Sequence, residues 1–384
     1  MKLNYAILGC VTLLLCGCKA TQKVNRGGGE VVVCDSLQSG DDMFCLEFIQ
    51  DMELIPLQTS DSSLIGTDPE LIVSGTDYYI IDQNGSQRIL RYDTNGRFLN
   101  RIGNRGKGAQ EYLKISNMVV DSMSNVITIF SSTDAKICSY SNTGDFISGR
   151  KVNSQFSQGF PAKNGNLWLY LGYQNGASDY RVRQVDAQDR PNVELLTANE
   201  NVMPVEEKFP VFIPASDGRI LLRESLNPTV YALTGEGTVV PRYSFDFGEY
   251  AVPEEYYEQS SPMAAVELLM KRPFTILDRI LDRKNYVVIQ AQVQYPNVAP
   301  MLIYGIKKKN ENRWLWFNFE DIPNNQGLWV NSIQDLTDND ELICLVDPIR
   351  LLKNSDQWSI FKNPEVLSGL NEEDNPVLIK CRLK

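Results

Sequence analysis

The 384-residue sequence contains no histidine, and that absence narrows its chemistry more than any motif does. Ser-His-Asp and Cys-His nucleophile systems, HExxH zinc hydrolysis and His-ligated haem all need an imidazole. Carboxylate, tyrosine and arginine chemistry remain. Candidate groups are densest in Gly103-Asn-Arg105-Gly106-Lys107-Gly108-Ala-Gln-Glu111-Tyr112. A phosphate loop needs Ser or Thr after its Gly-Lys and a helix beyond, whereas Gly108 follows Lys107 here and the next segment reads as a strand. The dinucleotide fingerprint also fails, because Glu111 stands at the third glycine position.

Other constellations are weaker. Paired carboxylates could serve a glycosidase, but Glu206-Glu207, Glu254-Glu255 and Glu372-Glu373 are adjacent in sequence and read as solvated surface charge. A sialidase would place a Tyr nucleophile and an arginine triad on a six-bladed ring with repeated Ser-x-Asp-x-Gly-x-x-Trp turns, and Ser216-Asp217-Gly218 lacks that spacing. Asp338-Asn-Asp340-Glu341 reads as a hairpin turn rather than a calcium loop. No Cys-x-x-Cys pair supports a thiolate zinc site. No catalytic residue, metal ligand or cofactor is therefore assigned. The net charge of −11 also argues against a nucleic-acid partner, since phosphate-backbone binding rests on clustered Lys and Arg.

The elements that must carry these groups show an internal repeat. At a spacing of 48 residues, Asp77-Tyr-Tyr-Ile-Ile81 lies over Asn125-Val-Ile-Thr-Ile129, Arg88-Ile-Leu-Arg-Tyr92 over Lys136-Ile-Cys-Ser-Tyr140, and Asn95-Gly96-Arg-Phe-Leu99 over Thr143-Gly144-Asp-Phe-Ile147. Each run alternates apolar and polar residues between Gly, Asn, Asp and Ser, as strands and tight hairpins do. Weaker copies follow at Asn166–Asp186, Gly218–Leu233 and Asn285–Tyr304, and Glu341–Leu345 opens a sixth. Six four-stranded units of this length predict an all-β, six-bladed β-propeller. Two β-sandwiches would not require a gapless echo. The sixth blade lacks strands of its own, so Met52–Leu57 is expected to complete it beside the C-terminal strand Pro376–Leu383. Residues 253–271 break the alternation, and Pro262 after Ser261 marks a helix start, so a helical insertion is expected there. The polar excursion over residues 355–371 has no place in the repeat.

The N-terminus has Lys2, an apolar run from Tyr5 to Leu15, and then Leu15-Cys16-Gly17-Cys18. It resembles a bacterial lipoprotein signal, with residues 1–17 removed and Cys18 lipidated. A transmembrane helix would need roughly 20 apolar residues, and the run is shorter. Residues 18–44 then read as the lipidated Cys and a flexible tether, and residues 45–384 as a single propeller. Among the remaining thiols, Cys34 and Cys45 could pair in an exported protein, while Cys138, Cys344 and Cys381 sit among apolar residues and read as small buried hydrophobes.

Together, Tyr79-Ile-Ile-Asp82, Arg88–Asp93, Asn95–Leu99, Ile102-Gly103 and Glu111-Tyr112 resemble an NHL-type propeller repeat. With the lipoprotein leader, Glu53–Leu57, Phe245–Gly248 and Asn375–Ile379, the chain is similar to the six-bladed β-propeller lipoproteins of Bacteroidota. That family usually reads Gly-Pro-Gly-Glu where this chain has Gly108-Ala-Gln-Glu111. The resemblance implies the fold and an exported, lipid-anchored location in the cell envelope; Lys19-Ala-Thr-Gln lacks the acidic run that accompanies surface display, which favours the periplasmic face of the outer membrane. It transfers no catalytic residue. Since successive strands run antiparallel, the crossover holding Arg105, Lys107, Glu111 and Tyr112 should lie on the channel face that propellers use for ligands, although Glu111 and Tyr112 could equally brace the glycine-rich backbone. The expected role is a non-enzymatic module that binds a glycan, a peptide or an envelope protein. The alternative is a histidine-free carbohydrate-active enzyme.

Overall fold

A computed structural model of the chain describes residues 29–34, 48–173, 178–202, 205–234, 237–317, 332–353 and 359–384. The leader over residues 1–17, the lipidation candidate Cys18, most of the tether and Cys45 lie outside the described residues. The alternating segments form six sheets with four antiparallel strands each. In the first blade these are Glu70–Ser74, Asp77–Asp82, Arg88–Asp93 and Phe98–Arg101. The second blade repeats them at Asn117–Asp121, Val126–Ser131, Lys136–Ser141 and Phe146–Lys151. The first strand of each blade faces the centre. That of the sixth blade, Ser332–Leu336, contacts that of the first, Glu70–Ser74, so the ring closes into the six-bladed β-propeller read from the repeat.

The 48-residue echo persists in the packing. Tyr92 meets Phe98 edge-on at 5.7 Å, and Tyr140 meets Phe146 edge-on at 5.7 Å. The turn glycines repeat too, with φ of 76° at Gly96 and 92° at Gly144. A Cβ on Gly96 would stand 2.2 Å from the Pro56 carbonyl oxygen, and one on Gly144 would stand 2.4 Å from that of Arg101. Both carbonyls end the outer strand of the preceding blade. Glycine at the hairpin therefore serves the blade-to-blade contact as well as the turn.

Closure joins an early strand to the last one. Ile49–Pro56 pairs antiparallel with Val377–Leu383 and becomes the outer strand of the sixth blade. The described part of the excursion that the repeat could not place, residues 359–371, lies along the outer edge of that strand: Lys362 N–H donates to the Met52 carbonyl at 2.9 Å, and the Asn363 side-chain amide exchanges two hydrogen bonds with the Leu54 backbone. An edge that would otherwise template pairing with another chain is thereby occupied. The fourth blade gains a fifth strand, since Glu30–Val33, within the segment read as tether, pairs in parallel with Val239–Asp246. Between the fourth and fifth blades stand a 3-10 turn, Glu254–Glu258, and a helix, Pro262–Leu269, whose Ser261 cap accepts the Ala264 N–H at 3.3 Å. Cys34, Cys138, Cys344 and Cys381 are all buried.

Asn375 ties the closure together. Its side chain, 1% exposed, accepts the Ile65 N–H at 2.8 Å and donates to the carbonyls of Gln58 and Ser63 at 2.9 and 2.8 Å. Asn375→Ala takes away the Ile65 N–H partner and two further bonds, an expected loss of about 2 kcal/mol. Urea unfolding should give a lower midpoint at an unchanged slope, and an unmoved midpoint would mean that closure does not depend on this side chain.

Candidate functional site

The face that carries the interblade crossovers opens into a cavity of about 460 Å³. Its walls are the segments that lead into inner strands, residues 68–70, 114–116, 157–158 and 206–209, together with Gln83, Asn84 and Ser132 from hairpins. The fifth and sixth blades contribute Asp278, Gln290, Gln292 and Gln334. A second cavity of about 160 Å³ is lined by all six inner strands and is the central channel itself. Glu70 and Gln334 line both cavities and so mark their boundary.

Two β-bulges aim the polar groups at this boundary. The pairing of Phe274–Asp282 with Tyr286–Gln294 slips between Leu277 and Arg279, which leaves Asp278 as the extra residue. Ser332–Leu336 slips against Glu341–Val346 between Ile333 and Asp335, which leaves Gln334. Strict alternation would turn one residue of each polar pair into the core. The bulge instead lets Asp278 line the outer cavity and Arg279 the channel, with Gln334 lining both and Asp335 the channel. Their neighbours Leu277, Ile280, Ile333 and Leu336 stay in the apolar core. Re-aiming a side chain beside a site is a common use of a bulge.

Charge at the floor is strongly organised. The Arg223 guanidinium, with no exposure, pairs with Glu207 at 2.9 Å and donates to the carbonyls of Phe209 and Leu277 at 2.8 and 2.7 Å. It thus fixes the 207–209 wall against the fifth blade. Arg279 stacks 4.5 Å from the Phe209 ring and donates to the Gln334 carbonyl. Asp278, 5% exposed, accepts from Gln292 at 3.1 Å and Gln290 at 3.4 Å. Burial pushes its carboxyl from 3.8 up to about 6, against the opposing pull of Arg223. Burial also raises Glu70, opposed by Arg279, and Glu70 accepts from the Gln83 amide at 3.0 Å. Lys208 pairs with Asp68 at 2.7 Å and Lys114 with Glu206 at 3.2 Å. Among the described residues, Glu70 and Asp278 are the cavity carboxyl groups without an ion pair. No group of three or more Asp, Glu or Cys side chains among those residues is placed to hold a metal ion.

The four residues singled out from the crossover sit elsewhere. Lys136 donates to the carbonyls of Gly108 and Glu111, and the Tyr140 hydroxyl donates to that of Gln110 at 2.7 Å, so the loop is held over the second blade. The Glu111 carboxylate accepts the Gly108 N–H at 2.7 Å and fills the space that a Cβ on Gly106 would need. Tyr112 is 1% exposed and its hydroxyl donates to the Gln87 carbonyl at 3.1 Å. Both brace the loop. Arg105 and Lys107 are exposed, and none of the four lines the cavity, which the crossover reaches only at Lys114, Ile115 and Ser116. Of the acidic pairs, Glu206-Glu207 does reach the wall. Sequence reasoning missed Glu70, Asp278, Arg279, Gln290, Gln292 and Gln334. The available signal was the pattern apolar, polar, polar, apolar in Leu277-Asp-Arg-Ile280 and Ile333-Gln-Asp-Leu336, where two polar residues interrupt a strand.

The raised pKa of Asp278 makes stability depend on pH. Between 3.8 and about 6 the folded chain holds a proton that the unfolded chain has released. Stability therefore falls as pH rises through that window and stays lower above it. The cost at neutral pH is up to about 3 kcal/mol. Asp278→Asn should raise the urea midpoint near neutral pH and leave it unchanged below about pH 4; an equal gain at both pH values would mean that charge is not its source.

The fold is shared with other proteins. A Bacteroides fragilis protein described as a candidate exported protein superimposes with a TM-score of 0.72 at 18% identity, over 93% of this chain and 99% of that one. A member of the DUF4221 family from Bacteroides vulgatus gives 0.52 at 10% identity, over 88% and 97%. Virginiamycin B lyase from Staphylococcus aureus gives 0.45 at 11% identity, over 87% of this chain and 99% of that one. At these identities the likeness extends to the fold and not to chemistry. No curated protein matches the chain. Among the described residues no helix is long and apolar enough to cross a membrane. Residues 32–382 match the family model described as Domain of unknown function (DUF4934), and the chain belongs to that family.

Proposed function

We propose that this propeller is an envelope protein that binds a saccharide in the channel-face cavity. The observation that carries the reading is the chemistry of the lining. Among the described residues, apolar side chains occur only at Pro69, Ile115, Phe209 and Leu302, while amides and hydroxyls from Gln83, Asn84, Ser116, Ser132, Gln292 and others fill the gaps between charged groups. An apolar ligand would strand those groups without partners. Sugar hydroxyls each donate and accept, and so can match a wall of mixed amides and carboxylates. The volume, about 460 Å³, falls within the range of small-molecule sites.

Thermal-shift and calorimetric screening against glycan and peptidoglycan fragments tests the reading. A binding saccharide should lose affinity about tenfold with Gln292→Ala, the equivalent of ~1.4 kcal/mol. The double substitution Arg105→Ala, Lys107→Ala, outside the lining, should leave affinity unchanged. Loss of binding in the double variant alone would move the site to the crossover. Asp278 gives a second reading its support: a buried carboxyl held near 6 has the character of a general acid. Chromatography of the bound saccharide after prolonged incubation distinguishes an enzyme, which releases fragments, from a binding module, which returns the ligand intact.

The export half of the reading rests on the leader ending in Cys18. Labelled fatty acid fed to expressing bacteria should enter the protein, and Cys18→Ala should abolish the incorporation; undiminished labelling would remove the anchor from the proposal.

A further inference from the structure

Hydroxyl groups alone leave the charge on the cavity floor unanswered, and we propose that Asp278, Glu70 and Gln290 together receive a protonated amine of the ligand. The inference rests on the saccharide reading and narrows it to sugars that carry a free amino group.

Three acceptors share this floor and no donor of their own satisfies them all. Gln290 is 4% exposed and turns its amide nitrogen toward Asp278, while its carbonyl oxygen has no hydrogen-bond partner. A buried acceptor left in that state costs about 1–3 kcal/mol. Asp278 and Glu70 line the same cavity and offer further acceptors, and among the described residues neither has an ion pair. An ammonium group has three donors and no acceptor, and its charge answers the two carboxyl groups. A hydroxyl would satisfy Gln290 but not the charge, and a carboxylate or phosphate would be repelled. The nearby cations do not fill the role. Lys208, Lys114 and Arg223 are held by Asp68, Glu206 and Glu207, and Arg279, which acts on both carboxyl groups from the channel side, stacks on Phe209 and donates to the Gln334 carbonyl without an ion pair to either among the described residues.

Calorimetry on the folded chain near neutral pH, with a glucosamine oligomer and its N-acetylated counterpart, tests the assignment. The free amine should bind at least about tenfold more tightly. Asp278→Asn and Glu70→Gln should each remove that preference without lowering the melting temperature. Binding should weaken as pH falls from about 7.5 to about 5, because protonation of Asp278 withdraws the charge. The charged groups that act on Asp278 are Arg223, Arg279 and Lys208, and those that act on Glu70 are Arg279, Asp335, Lys208 and Arg223, so the two carboxyl variants separate their shares of the pH profile. Equal affinity for both oligomers overturns the amine site while leaving the saccharide reading intact. Binding of a simple alkyl diamine, lost in Asp278→Asn, with no saccharide bound at all, keeps the amine site and removes the saccharide. Calcium binding at the same residues, or silence toward every probe, overturns the proposal.

Discussion

A ring of sheets is only as stable as its seam, and here the seam is made by backbone hydrogen bonds between Ile49–Pro56 and Val377–Leu383. Every other blade draws its four strands from one stretch of chain, so each can form from local pairings. The sixth cannot, because its outer strand lies more than 300 residues from its neighbour in sequence, with Leu54 paired to Ile379. The contact closes the loop that holds all six blades at one radius. It also uses a strand edge that would otherwise stand open. The Lys362–Asn363 segment covers the outer edge of that strand, and the Asn375 side chain ties residues 58–65, just beyond it, to the start of the C-terminal strand, so the seam is satisfied in both its polar and its edge-protection demands.

Holding the blades at that radius creates the channel and its electrostatic problem. Side chains on six inner strands converge on a narrow axis, and most of this axis is lined by apolar groups such as Leu71, Ile72, Met118 and Phe212. At one level the pattern breaks, and Glu70, Asp278, Arg279, Gln334 and Asp335 gather. Fold stability alone does not call for a buried carboxyl held near 6, since an amide of the same shape would avoid the cost of burying charge. Costs of this kind concentrate at functional sites. Arg223, fully buried and bonded to the carbonyls of Phe209 and Leu277, is the strut that keeps the wall and the bulge in register.

The blades were legible because their information is local. Period-two alternation and a turn glycine within a dozen residues specify a hairpin, and the gapless echo at 48 residues specifies its repetition. The bracing role of Glu111 was legible for the same reason, since Gly106 and Gly108 lie within five residues of it, whereas the Tyr112 hydroxyl bonds Gln87, 25 residues away. The site was not legible. Its residues come from all six blades and the segments that lead into them, and the most conspicuous glycine-rich stretch, Gly103 to Tyr112, turned out to rest on Lys136 and Tyr140 of the second blade. Glycine density there reflects close packing over a carboxylate and not an open cradle for a ligand.

From sequence alone followed the all-β class, the six repeats, the donation of an N-terminal strand to the last blade, the helix begun by Ser261-Pro262, and the exclusion of imidazole chemistry. These depend on neighbours along the chain, or on composition, and need no knowledge of distance in space. Tertiary structure alone decided that Glu30–Val33 joins the fourth blade, that residues 359–371 cover an edge, and that Glu70, Asp278 and Gln290 share one floor. A strand pattern tells which side of its own sheet a residue faces. It does not tell which residues of other sheets stand opposite, and a bulge, which adds one residue against a partner strand, can be recognised only once that partner is in place.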